Sequence, residues 1–273
     1  MIHKDALEIL EETSRTFYIP ISRLPSGLQA AVASEYLCLR AIDEIEDHPN
    51  LDNLLKVKLL QTISLTLQAA TDNSVADELS ASLSSYENLL PEVSMRIGEW
   101  ATLAPDTITP RIWDTTAVMA DRMAYWAARN WKVHTEADLN RYTFGVAGTV
   151  GLLLSELWTW YDGTQTNRTH AIGFGRGLQA VNILRNHGED LTRGVDFFPT
   201  GWNNEQMQAY ARHNLMLANA YTNSLPLGPA LDFCKIPLTL AWATLDVLAD
   251  GEEKLSRSKV IALIEQATKS KAS

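Results

Sequence analysis

The chain has 273 residues, 46% of them hydrophobic, and carries 23 basic against 33 acidic side chains for a formal net charge of −10. That length allows one large domain or two small ones with ample material for a core. The negative balance argues against nucleic acid as a partner, because phosphate contacts need a basic surface; it leaves room for a phosphorylated small molecule whose charge Mg2+ offsets locally.

The N-terminal MIHKDALEILEETSRTF is too charged for a signal peptide, and Leu7 to Glu12 reads as a short helix. SRTFYIPISRLPSG, punctuated by Pro20 and Pro25, reads as irregular. A helix dense in Ala, Leu and Val starts near Ser26, which can cap it, and runs through LQAAVASEYLCLRAIDEIED to a stop at Pro49. Leu54 to Ala70 is amphipathic, with Leu55, Leu59, Ile63 and Leu67 at helical spacing. Ala76 to Leu90 and Glu92 to Ala101 read as helices parted by Pro91, and Ile112 to Trp131 as a long helix rich in aromatics. Thr135 is the expected N-cap of the next helix, with Asp138 as its capping-box partner, and that helix continues through RYTFGVAGTVGLLLSELWTW. After the turn DGTQTN comes the helix containing GLQAVNILRNHGED, then Glu205 to Leu225, Ile236 to Leu248 and Lys259 to Lys269. No stretch alternates with period two, no internal repeat or long linker occurs, and no apolar run reaches bilayer length. The expectation is one all-α domain over residues 1–273, of roughly ten helices, larger than a four-helix bundle but packed by the same rules. Cys38 and Cys234 stand apart in apolar surroundings and read as buried thiols in a reducing compartment. A soluble cytoplasmic protein is expected, with transient contact at a membrane surface left open.

Two stretches carry chemistry. In Gly177 to Asp190 the side chains Gln179, Asn182, Asn186 and Asp190 recur at steps of three and four, forming one polar stripe on an otherwise apolar helix. A buried amide or carboxylate left alone costs several kcal/mol, so the stripe must face a cavity, a partner or a metal. Arg185 stands beside it, and oxygen ligands next to a fixed cation suit Mg2+ and a phosphate-bearing substrate. A polar seam between packed helices is the bland alternative. In RAIDEIED, Asp43 and Asp47 are four apart on one helix face, with Arg40 three residues before Asp43. Such acid pairs are common on solvated surfaces, but this one ends an apolar helix, and carboxylates from facing helices hold divalent ions in several bundles. Gly145, Gly148 and Gly151 each cost about 1 kcal/mol in a helix, which calls for close packing or for space around a long ligand. Tyr142, one turn before Val146, can present its hydroxyl to the same cavity. GFGRG is not a dinucleotide loop, since no strand precedes it. The six histidines show no metal-ligand spacing, and no nucleophile elbow, P-loop or CxxC is found.

Taken together, SRTFYIPISRLP, YLCLRAIDEIED, YTFGVAGTVG and GLQAVNILRNHGEDLTRGVDFFP resemble, in order, four motifs of the squalene/phytoene synthases. The resemblance runs over nearly the whole chain. It implies an all-α isoprenoid synthase fold with a central cavity, and a Mg2+-dependent enzyme that joins two farnesyl- or geranylgeranyl-size diphosphates head to head through a cyclopropyl intermediate. It implies Asp43, Asp47 and Asp190 as Mg2+ ligands, Asn186 at the position of a further ligand, and Asn182 as ligand or polar partner. Arg40 and Arg185 would bind diphosphate, with Gln179 beside them and Arg15 and Arg257 as weaker candidates; Tyr142 would act near the departing group. Asn186 replaces the family's Asp, Phe197 its usual Tyr, and LAWATLDVL lacks a common C-terminal Tyr. Asn182, Asn186 and Asp190 also resemble the Asn-Ser-Glu metal triad of class I terpene cyclases. Two alternatives therefore accompany the synthase reading. One keeps ionisation and loses coupling: a prenyl diphosphate phosphatase, a terpene cyclase, or an enzyme that converts a cyclopropyl diphosphate to an alcohol. The other is a non-catalytic lipid-binding homologue.

Overall fold

The computed structural model describes residues 4–252 and 254–269, with the side chains of all of these except Arg15 and Lys269. It is helical throughout, with no strand among the described residues. The chain divides into two compact units, residues 1–130 and 131–273. No composition shift marks that boundary; the backbone does, since Asn130 and Trp131 both take positive φ, 52° and 48°.

In the first unit α1 (Lys4–Thr13) and α2 (Arg15–Ser22) precede the long α3 (Ser26–Glu46). The segment expected to be irregular is therefore mostly helix. Ser14 caps α2 by accepting from the Phe17 amide at 3.1 Å, and Pro20 lies inside this helix. Ser26 is the first residue of α3, not its cap; Pro25 holds the cap position. α3 is the buried axis, with Leu28, Ala31, Leu37, Ala41, Ile42 and Ile45 wholly enclosed. α4 (Asn53–Ala69) lies along α8 (Thr109–Ala127), and α3 packs on both as well as on the short α6 (Glu92–Met95) and α7 (Ile97–Ala101). α5 (Val75–Leu83) covers α7. Small buried hydroxyls tie the helices together: Ser34 donates to the Trp100 carbonyl at 2.6 Å and Ser64 to the Ala117 carbonyl at 2.7 Å.

Glu35 is the exception in this core. Its side chain is buried on α3 and neither carboxyl oxygen has a hydrogen-bond partner among the described residues. Burial pushes its carboxyl well above the usual glutamate range. The folded chain thus keeps a proton that the unfolded chain releases above about pH 4.3, so this group makes stability fall as pH rises through that range. Glu35→Leu is expected to raise the melting temperature at about pH 8 by roughly 3–10 °C and to flatten the pH dependence of stability, as followed by thermal circular dichroism.

In the second unit Thr135 accepts from the Asp138 amide and Asp138 from the Thr135 amide, each at 3.1 Å, so the expected capping box opens α9 (Glu136–Thr143). The helix then widens into a π-turn over Phe144–Gly148 before α10 (Thr149–Asp162). α11 (Arg168–Thr192) is the axis of this unit, and α12 (Asn204–Ser224), α10 and α13 (Pro229–Ala249) pack against it. α14 (Arg257–Lys269) lies on α13. Five of the eight tryptophans, Trp100, Trp113, Trp126, Trp131 and Trp158, are buried. Cys38 and Cys234 are free and buried, as expected. No helix among the described residues is long and apolar enough to cross a membrane.

Candidate active site

The first polar cluster is the C-terminal end of α3. One guanidinium serves two acids there: Arg40 donates from Nη1 to Asp43 and from Nη2 to Glu44, one turn on. Asp43 and Arg40 are each about one-third exposed, and the Arg40 Nε is buried with no acceptor among the described residues. Asp47 caps the helix, donating its amide to the Asp43 carbonyl at 2.8 Å. Desolvation, reinforced by the nearby Asp47 charge and opposed by Arg40, pushes the Asp43 carboxyl up to about 7. Counting Asp43, Glu44 and Asp47 against Arg40, three acids meet one base. Tyr36, two turns back on this face, donates to the Thr13 carbonyl at 3.4 Å and packs its ring 5.6 Å from Phe17. The SRTF segment is thereby fixed beside the acids. Arg15 lies in it, but its side chain is outside the described residues.

The second cluster is the polar stripe of α11, and its members are bonded to one another. Arg185 donates to Asn182 Oδ1 at 2.9 Å and to Asn186 Oδ1 at 3.1 Å, while Asn186 donates to Asn182 Oδ1 at 3.3 Å. One turn further, buried Asp190 is ion-paired with Arg193. Gln179 is half-buried on the same face. Counting Glu189 and Asp190 against Arg185 and Arg193, this stretch of α11 carries two acids and two bases, so it lacks the excess negative charge of the first cluster.

Close helix packing aims the stripe. An ideal Cβ on Gly175 would lie 2.0 Å from the Ala147 carbonyl oxygen, and one on Gly151 2.0 Å from that of Ala171. α11 and the Phe144–Thr149 turn therefore meet backbone to backbone. Gly148 instead faces the Phe144 ring and Ile172. Tyr142 is buried and stacked on Phe197, ring centroids 4.5 Å apart. Phe197 lies in the loop after α11, which His187 also holds: its ring stacks on Phe198 at 3.9 Å and its Nε2 lies 3.3 Å from Asp196 Oδ1. Arg257 is exposed at the start of α14 and makes no hydrogen bond or ion pair with a described residue.

Residues 10–209 match the family model described as squalene/phytoene synthase. The chain belongs to the squalene/phytoene synthase family. It is 30% identical over 269 residues to the squalene synthase of Schizosaccharomyces pombe, covering 87% of this chain and 58% of that one. It is 26% identical to that of Homo sapiens, covering 97% of this chain and 69% of the other. A solved structure, the complex of TcSQS with the ligand BPH1237, superposes with a TM-score of 0.75 at 23% identity, over 98% of this chain and 87% of that one, and so shares the fold. The chain spans 58% and 64% of the first two curated relatives it matches. Every residue of both clusters, Tyr142 and Phe197 fall inside the family-matched span; Arg257 falls outside it.

Within neither unit do three His, Cys, Asp or Glu side chains converge as a metal cage among the described residues. The oxygen donors nevertheless suit a hard cation, and the raised Asp43 carboxyl marks a place where positive charge is wanted. Mg2+ takes only one or two protein carboxylates and completes its shell with water and substrate phosphate, so the donor set fits that ion. Arg193 was not singled out in the sequence, although its i+3 spacing from Asp190 was there to read. The same holds for Glu44, second acid of the Arg40 pair. Arg176, three residues before Gln179, was likewise passed over: it extends the stripe by one step and donates to the Asn140 carbonyl at 2.8 Å on α9.

Proposed function

We propose that the protein is a Mg2+-dependent prenyltransferase that condenses two prenyl diphosphates of farnesyl or geranylgeranyl size head to head through a cyclopropyl diphosphate. Residues 1–273 act in this reading as one synthase domain, and Asp43, Asp47, Asn186 and Asp190 hold the metal. The observation that carries it is the pair of arginine–oxygen clusters within the family-matched span. Bound Mg2+ would neutralise charge on the leaving diphosphate. Arg40 and Arg185 already point donors at anionic or carbonyl oxygens, so a diphosphate can replace those partners without reorganising the arginines. Gln179 and Asn182 supply neutral contacts. Buried Tyr142 and Phe197 offer an aromatic face and exclude water from an allylic cation. Forming one cyclopropyl diphosphate releases one pyrophosphate and one proton. A cytoplasmic location accompanies this reading.

A second reading keeps ionisation and loses coupling, and Asn186 favours it, because an amide in place of a carboxylate leaves the α11 cluster without net charge. Incubation with farnesyl and geranylgeranyl diphosphates plus Mg2+, with products analysed by mass spectrometry, separates the cases. Products of doubled chain length support condensation. Alcohols or cyclic hydrocarbons of unchanged length support ionisation alone, and binding without turnover marks a non-catalytic homologue. Asn186→Asp is expected to lower the Mg2+ concentration for half-maximal turnover and to preserve or raise condensation. Loss of activity in a normally folded Asn186→Asp would mean that the amide is required, and would favour the second reading.

A further inference from the structure

The loop after α11 carries two adjacent phenylalanines, and each ring has its own partner. Phe197 stacks on Tyr142, ring centroids 4.5 Å apart and planes 21° apart. Phe198 lies nearly parallel to the His187 imidazole, with 3.9 Å between centroids and 5° between planes. Both phenylalanines are buried, at 7% and 5% exposure. Asp196 precedes them, and its Oδ1 lies 3.3 Å from His187 Nε2 and accepts from the Phe198 amide at 2.9 Å.

Backbone hydrogen bonds fix both ends of this loop. The Val195 amide donates to the Asp190 carbonyl at 3.0 Å, and the Thr200 amide to the His134 carbonyl, just ahead of α9, at 3.1 Å. Between those anchors His187 reaches across from α11 and grips the loop twice, by the Phe198 ring and by the Asp196 carboxylate. Holding Asp196 and Phe198 leaves little freedom for the residue between them, and that residue is Phe197. His187 therefore acts on Tyr142 through Phe197.

We propose that His187 is a positioning residue: by gripping Asp196 and Phe198 it holds Phe197 flat on Tyr142 and keeps water from the allylic cation. This rests on the reading of the site as one that ionises a prenyl diphosphate. Once the C–O bond to pyrophosphate breaks there, two nucleophiles compete for the cation. The double bond of a second substrate attacks to give coupled product, with loss of a proton. Water instead forms a new C–O bond, releases its proton and leaves a prenyl alcohol. A loosened Phe197 admits water, so His187 sets the ratio of the two products. Loss of one aromatic stack shifts an equilibrium by about two- to tenfold.

The test is the ratio of prenyl alcohol to coupled product formed from farnesyl diphosphate and Mg2+, measured by mass spectrometry beside thermal melts of each variant. His187→Ala is expected to raise that ratio about five- to tenfold, and His187→Phe, which keeps the stack, by less than about twofold. In a Phe197→Leu background His187→Ala should add nothing further. An unchanged ratio in a folded His187→Ala, or the same rise in the Phe197→Leu background, would overturn the proposal. A second readout needs no turnover. With 3-fluorotyrosine incorporated, and the Tyr142 line assigned by its loss in Tyr142→Phe, the fluorine NMR line of Tyr142 is expected to move in His187→Ala and to stay in place in His187→Phe. An unmoved line in His187→Ala would overturn the positioning role. A parent that forms no coupled product would overturn the proposed reaction and the partition with it, while a moved line would still uphold the grip of His187 on Phe197.

Discussion

Asp190→Ala is expected to lower turnover of prenyl diphosphates by about two to three orders of magnitude, and Asp43→Ala to do the same from the other cluster. Asp190 is 5% exposed, near the end of α11, and is held by Arg193. In the proposed reading its removal deletes a metal oxygen, and it takes one partner from Arg193. Arg193 keeps 43% of its side chain in solvent, so water takes over much of the lost solvation and the fold should survive. Asp43 is the more exposed acid, at 34%, and Arg40 keeps Glu44 when it is lost. Steady-state rates, measured beside thermal melts, separate loss of chemistry from loss of fold. A normally folded Asp190→Ala within tenfold of the parent rate would remove Asp190 from the site.

Gly175→Ala is expected to cost about 3 kcal/mol or more in stability, a fall of roughly 6–12 °C in melting temperature. The new methyl would sit 2.0 Å from the Ala147 carbonyl oxygen and 2.6 Å from its carbon. Both belong to backbone at the π-turn, so no flexible side chain can yield. Relief means separating α11 from Phe144–Gly148, which also moves Tyr142 and the stripe, so activity should fall with stability. Gly27, in the first turn of α3, has nothing within 4 Å of its would-be Cβ. Gly27→Ala should therefore leave stability unchanged or raise it by up to about 1 kcal/mol. Equal melting temperatures for Gly175→Ala and the parent would refute the tight crossing.

The helices were legible because their apolar residues recur with the helical period, and the Thr135–Asp138 capping box because its chemistry is local. α2 was not, since Pro20 reads as a breaker and only the structure has the helix ending two residues beyond it. The π-turn was invisible for a related reason: one extra residue in a turn leaves no mark on a composition of Gly, Val and Ala. The polar stripe was legible as a periodicity, yet its internal bonding was not. Asn182 and Asn186 share Arg185, a choice among several rotamers that sequence spacing leaves open. The glycines posed a choice between packing and ligand space. The carbonyl that decides it for Gly151 lies 20 residues away along the chain, at Ala171. Division into two units had no signal at all, because no linker composition accompanies the turn at Asn130 and Trp131.

The central claim is that two prenyl diphosphates are joined. An equal mixture of unlabelled and fully deuterated farnesyl diphosphate, incubated with the protein and Mg2+, tests it in one mass spectrum. The account predicts a product of twice the chain length whose masses include the mixed species, half labelled and half not, and which disappears when a chelator removes the metal. Products that carry only one label each and keep the substrate's chain length would contradict it.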